Sequence, residues 1–110
     1  MQLIIAEKPS LARNIAAAVG GMQKRNGYFE GGGTLISWAF GHLFSLCDIE
    51  DYLENVPAGM RWTIEGLPCF PKEFRFTLRR GTDGTVDAGV ARQYETLKYL
   101  CNRPDVDTIV

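Results

Sequence analysis

Glu7 and Lys8 stand directly after the apolar run Leu3-Ile4-Ile5-Ala6 and directly before Pro9-Ser10. A carboxylate beside an amine can move a proton to or from an oxygen, neutralise negative charge on a phosphate, or hold a divalent cation through the carboxylate. The run ahead of the pair is branched, apolar and free of alternation, the pattern of a strand covered on both faces in a parallel sheet. Pro9 is compatible with a helix start but not with a strand interior, and Ser10 offers an oxygen to cap the helix amides. The pair therefore falls at the carboxyl end of a strand and the amino end of a helix. Open α/β sheets bind ligands there, and the helix amides favour an anion. Pattern alone leaves a second reading equally open: an ordinary helix-start charge beside a solvated lysine.

The elements around the pair follow from spacing. Leu11, Ile15, Ala18 and Val19 recur at helical intervals, and Gly20-Gly21 ends the helix with residues that tolerate left-handed geometry. Gly31-Gly32-Gly33 lies between strand-like 27–30 and 34–40 and reads as a hairpin turn. No Gly-Lys-Ser/Thr follows, so a phosphate loop is disfavoured. Apolar on both faces, the second hairpin strand belongs inside the sheet, and Gly41-His42 follows it. His42 is thus a candidate for the same crevice, although a lone histidine is more often structural. Residues 48–53 suit a short acidic helix, and Pro57 and Gly59 mark loop. Phe74, Phe76 and Leu78 alternate with Arg75, Thr77 and Arg79, a half-buried strand with its guanidiniums outside. After a polar turn at 81–84, Val86, Val90, Tyr94, Leu97 and Cys101 form a helical stripe that Pro104 stops, with Cys101 expected in the core. Residues 106–110 begin another strand that runs into the last position, which suggests a chain cut within a sheet. The order strand, helix, hairpin, strand, helix, strand gives an α/β class.

The chain has 110 residues, 45% of them apolar and 23% charged, as expected for one globular domain. Twelve Lys plus Arg against thirteen Asp plus Glu leave a formal charge of −1, so bulk electrostatics does not drive it onto nucleic acid or an anionic membrane. A local patch exists: Arg61, Lys72, Arg75, Arg79 and Arg80 against Glu65 and Glu73, interleaved with Trp62, Phe70, Phe74 and Phe76. It could track a phosphate backbone. Solubility patterning is the commoner cause of such a strand, and the aromatics are expected in the core. No apolar run approaches the ~20 residues of a membrane span, and no signal peptide precedes Glu7, so a cytoplasmic protein without a membrane partner is expected. Cys47, Cys69 and Cys101 form no C-x-x-C pair; they read as reduced thiols, and a metal here would need carboxylates.

Residues 3–12, Leu-Ile-Ile-Ala-Glu-Lys-Pro-Ser-Leu-Ala, resemble the opening of type IA DNA topoisomerases of the bacterial topoisomerase III kind. Thr34 to Trp38 leading into Gly41-His42-Leu43, then Arg61-Trp62, Leu67-Pro68 and Pro71, resemble later landmarks of that family in the same order. The resemblance implies that residues 1–110 are the N-terminal part of a Toprim domain, a Rossmann-like α/β fold with a largely parallel central sheet flanked by helices, truncated at its C-terminal end. It implies that Glu7 is the Toprim glutamate, serving catalysis and a Mg2+ ion, and that Lys8 contacts the scissile phosphate. Ser10, His42, Arg75 and Arg79 are further candidate DNA contacts. The family cleaves and reseals one DNA strand through a phosphotyrosine, acts mainly on single-stranded DNA and needs no nucleotide cofactor. Its Asp-x-Asp motif follows the strand that begins here at Val106, so Asp105 and Asp107 do not supply it. Its nucleophilic tyrosine lies in a later domain, so Tyr28, Tyr52, Tyr94 and Tyr99 are not assigned that role. The metal site is accordingly expected to be incomplete and the segment alone inactive. Two alternatives stay open: a Toprim domain of a primase or nuclease, and a non-enzymatic α/β binding module. Oligomeric state is left open.

Overall fold

A computed structural model describes residues 1–53 and 63–110. Pro57, Gly59, Arg61 and Trp62 lie outside the described residues. Strand β1 (Gln2–Ala6) is followed by helix α1 (Pro9–Val19) and by the short strand β2 (Gln23–Lys24). Strands β3 (Tyr28–Gly31) and β4 (Thr34–Trp38) form the hairpin expected from the glycines. Gly32 and Gly33 both have positive φ, 54° and 77°, the geometry a two-residue turn needs to match strand twist. Then come β5 (Phe44–Leu46), α2 (Ile49–Tyr52), a 3-10 turn (Ile64–Gly66), β6 (Phe76–Leu78), α3 (Ala88–Cys101) and β7 (Thr108–Ile109).

Five strands join in the order β2-β3-β4-β1-β7. β1 pairs in parallel with β4 and β7, whereas β2·β3 and β3·β4 are antiparallel. The sheet is therefore mixed rather than largely parallel. The hairpin return forces this, since a two-residue connection can only join antiparallel neighbours. β4 lies inside the sheet, as its apolar faces require, with Leu35, Ile36 and Ser37 fully buried.

Each face of β1 and β4 meets a helix. Ala6 and Ile36 pack with Ala12 and Ala16 of α1, and Leu3 and Leu35 pack with Leu100 of α3. Each buried Leu or Ile contributes roughly 1.5–3 kcal/mol relative to exposure. The contact face of α1 is not the expected stripe: Leu11 and Val19 are exposed, and the small Ala12 and Ala16 let the helix approach the sheet closely. Nor does Ser10 cap α1. Pro9 already occupies the first helical position, Lys8 is the N-cap residue, and no side chain caps that end. In α3 the N-cap is Asp87, whose Oδ1 accepts from the Gly89 and Val90 amides at 2.8 and 3.0 Å. The buried face of α3 is Val90, Gln93, Leu97 and Leu100, so Val86 precedes the helix and Cys101 points to solvent rather than to the core.

β5 and β6 form a separate antiparallel ribbon. Its aromatics are not core: Phe70, Phe74 and Phe76 are 85%, 66% and 69% exposed. Alternation marks one face as apolar, and α3 meets it at the Phe44–Leu78 end, where Tyr94 packs edge-on against Phe44 with ring centroids 5.5 Å apart, but Phe74 and Phe76 stay exposed, so the half-buried strand expected at 74–79 is largely exposed.

Gln93 is the polar tie between α3 and the sheet. Its Nε2 lies within hydrogen-bonding distance of the Trp38 carbonyl (2.7 Å), the Ser37 hydroxyl (2.9 Å) and the Gly27 carbonyl (3.1 Å). Ser37 donates onward to the Gly27 carbonyl at 2.9 Å. Gln93→Ala removes the bonds to the Trp38 carbonyl and the buried Ser37 hydroxyl, so a loss of about 1 kcal/mol is expected, measured as a lower unfolding midpoint in urea. An unchanged midpoint would show that the tie contributes nothing.

Candidate functional site

Glu7 and Lys8 emerge at the carboxyl end of β1, where the parallel ladder to β4 continues past the last strand residues. The Ala39 amide donates to the Ala6 carbonyl, and the Gly41 amide donates to the Glu7 carbonyl, each at 2.9 Å. Gly41 sits at φ 71°, a backbone turn that glycine adopts without strain. This turn sets His42 beside the end of β1. Glu7, Lys8 and His42 are all exposed. Among the described residues no hydrogen bond or ion pair engages their side chains, so all three are available to an external ligand.

Lys8 has extended backbone, φ −149° and ψ 159°, and α1 carries no acidic residue in its first turn. Pro9 lacks an amide hydrogen, which leaves the amides of Ser10 and Leu11 uncapped directly after Lys8, the N-cap residue. An anion at this edge meets a full positive charge and a helix amino end together.

The arginines separate. The Phe40 carbonyl accepts from Arg79 Nη1 at 2.9 Å, and the amide of that same peptide unit is the Gly41 N–H bonded to Glu7. One peptide unit therefore joins Arg79 to the Glu7 backbone. Arg75 is held elsewhere: its guanidinium carbon lies 4.9 Å from the Tyr52 ring centroid and its Nη2 donates to the Asp51 carbonyl at 2.6 Å. The fold thus gathers Glu7, Lys8, Ser10, His42 and Arg79 near one sheet edge and leaves Arg75 on the α2 side of the ribbon. Reading by residue type missed Arg79's distinction from Arg75, because alternation places both on one strand face.

Asp105 and Asp107 lie at the opposite end. β7 pairs Gln2 with Thr108, so Asp107 flanks the amino end of β1, five residues before Glu7 and about 16 Å away at strand rise. Both carboxylates serve the fold. Arg103 Nη2 donates to Asp105 at 2.6 Å, and the Met1 amine donates to Asp107 at 3.2 Å. The hydrogen bond from Arg103 holds the Asp105 carboxyl below its ordinary range, and that from Thr108, followed by the Met1 amine, does the same for Asp107.

At the Glu7 edge the described residues offer one carboxylate, and they contain no group of three His, Cys, Asp or Glu able to hold a metal. Magnesium favours octahedral oxygen ligation, so these side chains do not by themselves make its site. Nor is either prominent concavity centred on the pair. One, of about 450 Å³, begins at Pro9 on the α1 face, and another, of about 560 Å³, lies between Phe40 and α3.

Over 107 residues, 97% of this chain, the sequence is 39% identical to DNA topoisomerase 3 of Shouchella clausii (strain KSM-K16). The chain is homologous to a segment of DNA topoisomerase 3. It spans 13% of that relative's length. Similarity to DNA topoisomerase 3 of Bacillus thuringiensis (strain Al Hakam) is 35% over 108 residues, 98% of this chain and again 13% of the relative. No family model matches the chain. No described helix is long and apolar enough to cross a membrane.

A lowered carboxyl adds stability above its ordinary value, and that contribution is lost as pH falls through the lowered one. Asp105→Asn is therefore expected to be less stable than the parent near neutrality, with the gap closing below about pH 4. Paired urea titrations across pH check this, and a gap that widens in acid contradicts the assignment.

Proposed function

We propose that this chain is the N-terminal Toprim portion of a type IA DNA topoisomerase, occupying residues 1–110, in which Glu7 and Lys8 act on the phosphodiester of a DNA strand. The observation that carries the reading is the pair's position: unpartnered, exposed, at the carboxyl end of an interior parallel strand and the uncapped start of α1. The similarity to DNA topoisomerase 3 along nearly the whole chain supports the same reading.

In this reading the Lys8 amine and the α1 amides stabilise negative charge on the non-bridging oxygens as the strand is cut. Glu7 moves a proton to or from the oxygen that leaves and later returns. His42 and Arg79, set beside Glu7 through the 40–41 peptide, and Ser10, in the first turn of α1, position the strand; Arg75 serves the ribbon. The attacking tyrosine belongs to another part of the full-length protein, so the segment alone does not cleave.

Magnesium, if used, requires ligands beyond these. Val110 hydrogen-bonds between Leu3 and Ile5, so a residue continuing that strand would lie beside Ala6 and Glu7. An acidic Asp-x-Asp sequence at that place would complete a carboxylate group around Glu7. The partner proposed for the whole protein is single-stranded DNA, with no nucleotide cofactor, in the cytoplasm.

In the full-length protein, Lys8→Ala is expected to lower cleavage of a single-stranded oligonucleotide by on the order of a hundredfold, the size typical for losing one electrostatic stabiliser. Wild-type cleavage by this variant rejects the role of Lys8.

A further inference from the structure

The concavity on the α1 face begins at Pro9, one residue from Lys8, and runs along the helix toward Gly20. Pro9, Arg13 and Ala17 are spaced four apart, so they share one helix face. Small residues along that face leave room, and the facing wall carries Lys24, Phe29 and Trp38. Phe29 and Trp38 are half-buried, with ring centroids 5.8 Å apart and planes tilted by 51°. Gly31 fixes the wall: a Cβ there would come within 2.6 Å of the Gly21 carbonyl oxygen, so strand and loop meet backbone to backbone.

The groove's charge is one-sided. Arg13 and Lys24 are exposed, make no ion pair among the described residues, and share the groove with no acidic residue. Its volume, about 450 Å³, lies within the range of clefts that hold small ligands. Two cations bracketing aromatic surface match an anionic ligand that also presents a flat apolar face. A nucleotide of a single strand has both; a duplex keeps its base faces stacked on one another.

We propose that this groove is a subsite for single-stranded nucleic acid, seating one nucleotide with its base against Trp38 and Phe29 and its flanking phosphates on Arg13 and Lys24. The proposal rests on the reading of Glu7 and Lys8 as a phosphodiester site, since a strand leaving that site along α1 would meet the groove at Pro9. It assigns a function to a face that the Glu7–Lys8 chemistry does not use. Base-face stacking tolerates any base, so the subsite contributes affinity and strand path rather than sequence choice.

The test uses the full-length protein and a fluorescein-labelled oligothymidylate with one photoreactive 5-iodouracil. Arg13→Glu with Lys24→Glu, both exposed, is expected to raise the anisotropy Kd at least ~10-fold at low salt and to shallow the salt slope by about 1.4, the single-strand value for two phosphate contacts. In the wild-type protein the photo-cross-link is expected on the peptide carrying Phe29 and Trp38, and the double variant is expected to lose it. Unchanged affinity and salt slope in the double variant overturn the proposal, as do cross-links confined to other regions. Equal cross-linking by a blunt duplex overturns the single-strand assignment. Lys8→Ala is expected to keep the cross-link while losing cleavage. Normal cleavage by Lys8→Ala with the cross-link intact would sink the catalytic reading, and a missing cross-link with Lys8-dependent cleavage would sink the groove.

Discussion

The parallel pairing of β1 with β4 is the constraint on which the site depends. It runs in register from Gln2 opposite Thr34 to Ala6 opposite Trp38, and it continues into the loops as the Glu7 carbonyl accepts from Gly41. Because both strands are sealed by α1 on one face and α3 on the other, neither can slip without turning buried leucines and isoleucines outward. The carboxyl edge inherits that rigidity. Glu7 and Lys8 are exposed as side chains, but their backbone is held by a ladder and by a proline-initiated helix. Exposed chemistry on an immobile backbone is what positioning a phosphate requires.

The same economy of parts appears in the 40–41 peptide. Its amide reaches Glu7 and its carbonyl reaches Arg79, so the β5–β6 ribbon is tied to the sheet edge at the point where chemistry is proposed. Gln93 performs the equivalent task from α3, holding the Trp38 carbonyl from the other face. Trp38 thus stands at the junction of the buried polar tie, the candidate site and the α1 groove.

Much of this was readable from residue order, and the reasons differ by element. β1 and β4 were legible because an apolar run without alternation has few uses other than a strand covered twice, and the hairpin because paired glycines satisfy positive φ at both turn positions. Glu7 and Lys8 followed from their place between strand and helix. The face of α1 was not legible: Leu11 and Val19 are more apolar than Ala12 and Ala16, but close approach to a sheet selects small side chains. Gln93 was missed because nothing in a helical stripe marks a polar residue whose partners are backbone carbonyls from β4 and the turn before β3. The ribbon misled in the opposite direction, since alternation at Phe74, Phe76 and Leu78 reports that two faces differ and not whether anything covers the apolar one. Arg13 and Lys24, eleven residues apart, gave no local signal; only the packing of α1 beside β2 and β3 puts them on one groove.

The most direct measurement is a structure of the full-length protein with a single-stranded oligonucleotide bound. A phosphate is expected within hydrogen-bonding distance of the Lys8 amine, with the Glu7 carboxylate facing the same phosphodiester. A strand bound away from this edge, with Lys8 and Glu7 covered by another part of the protein, would contradict it.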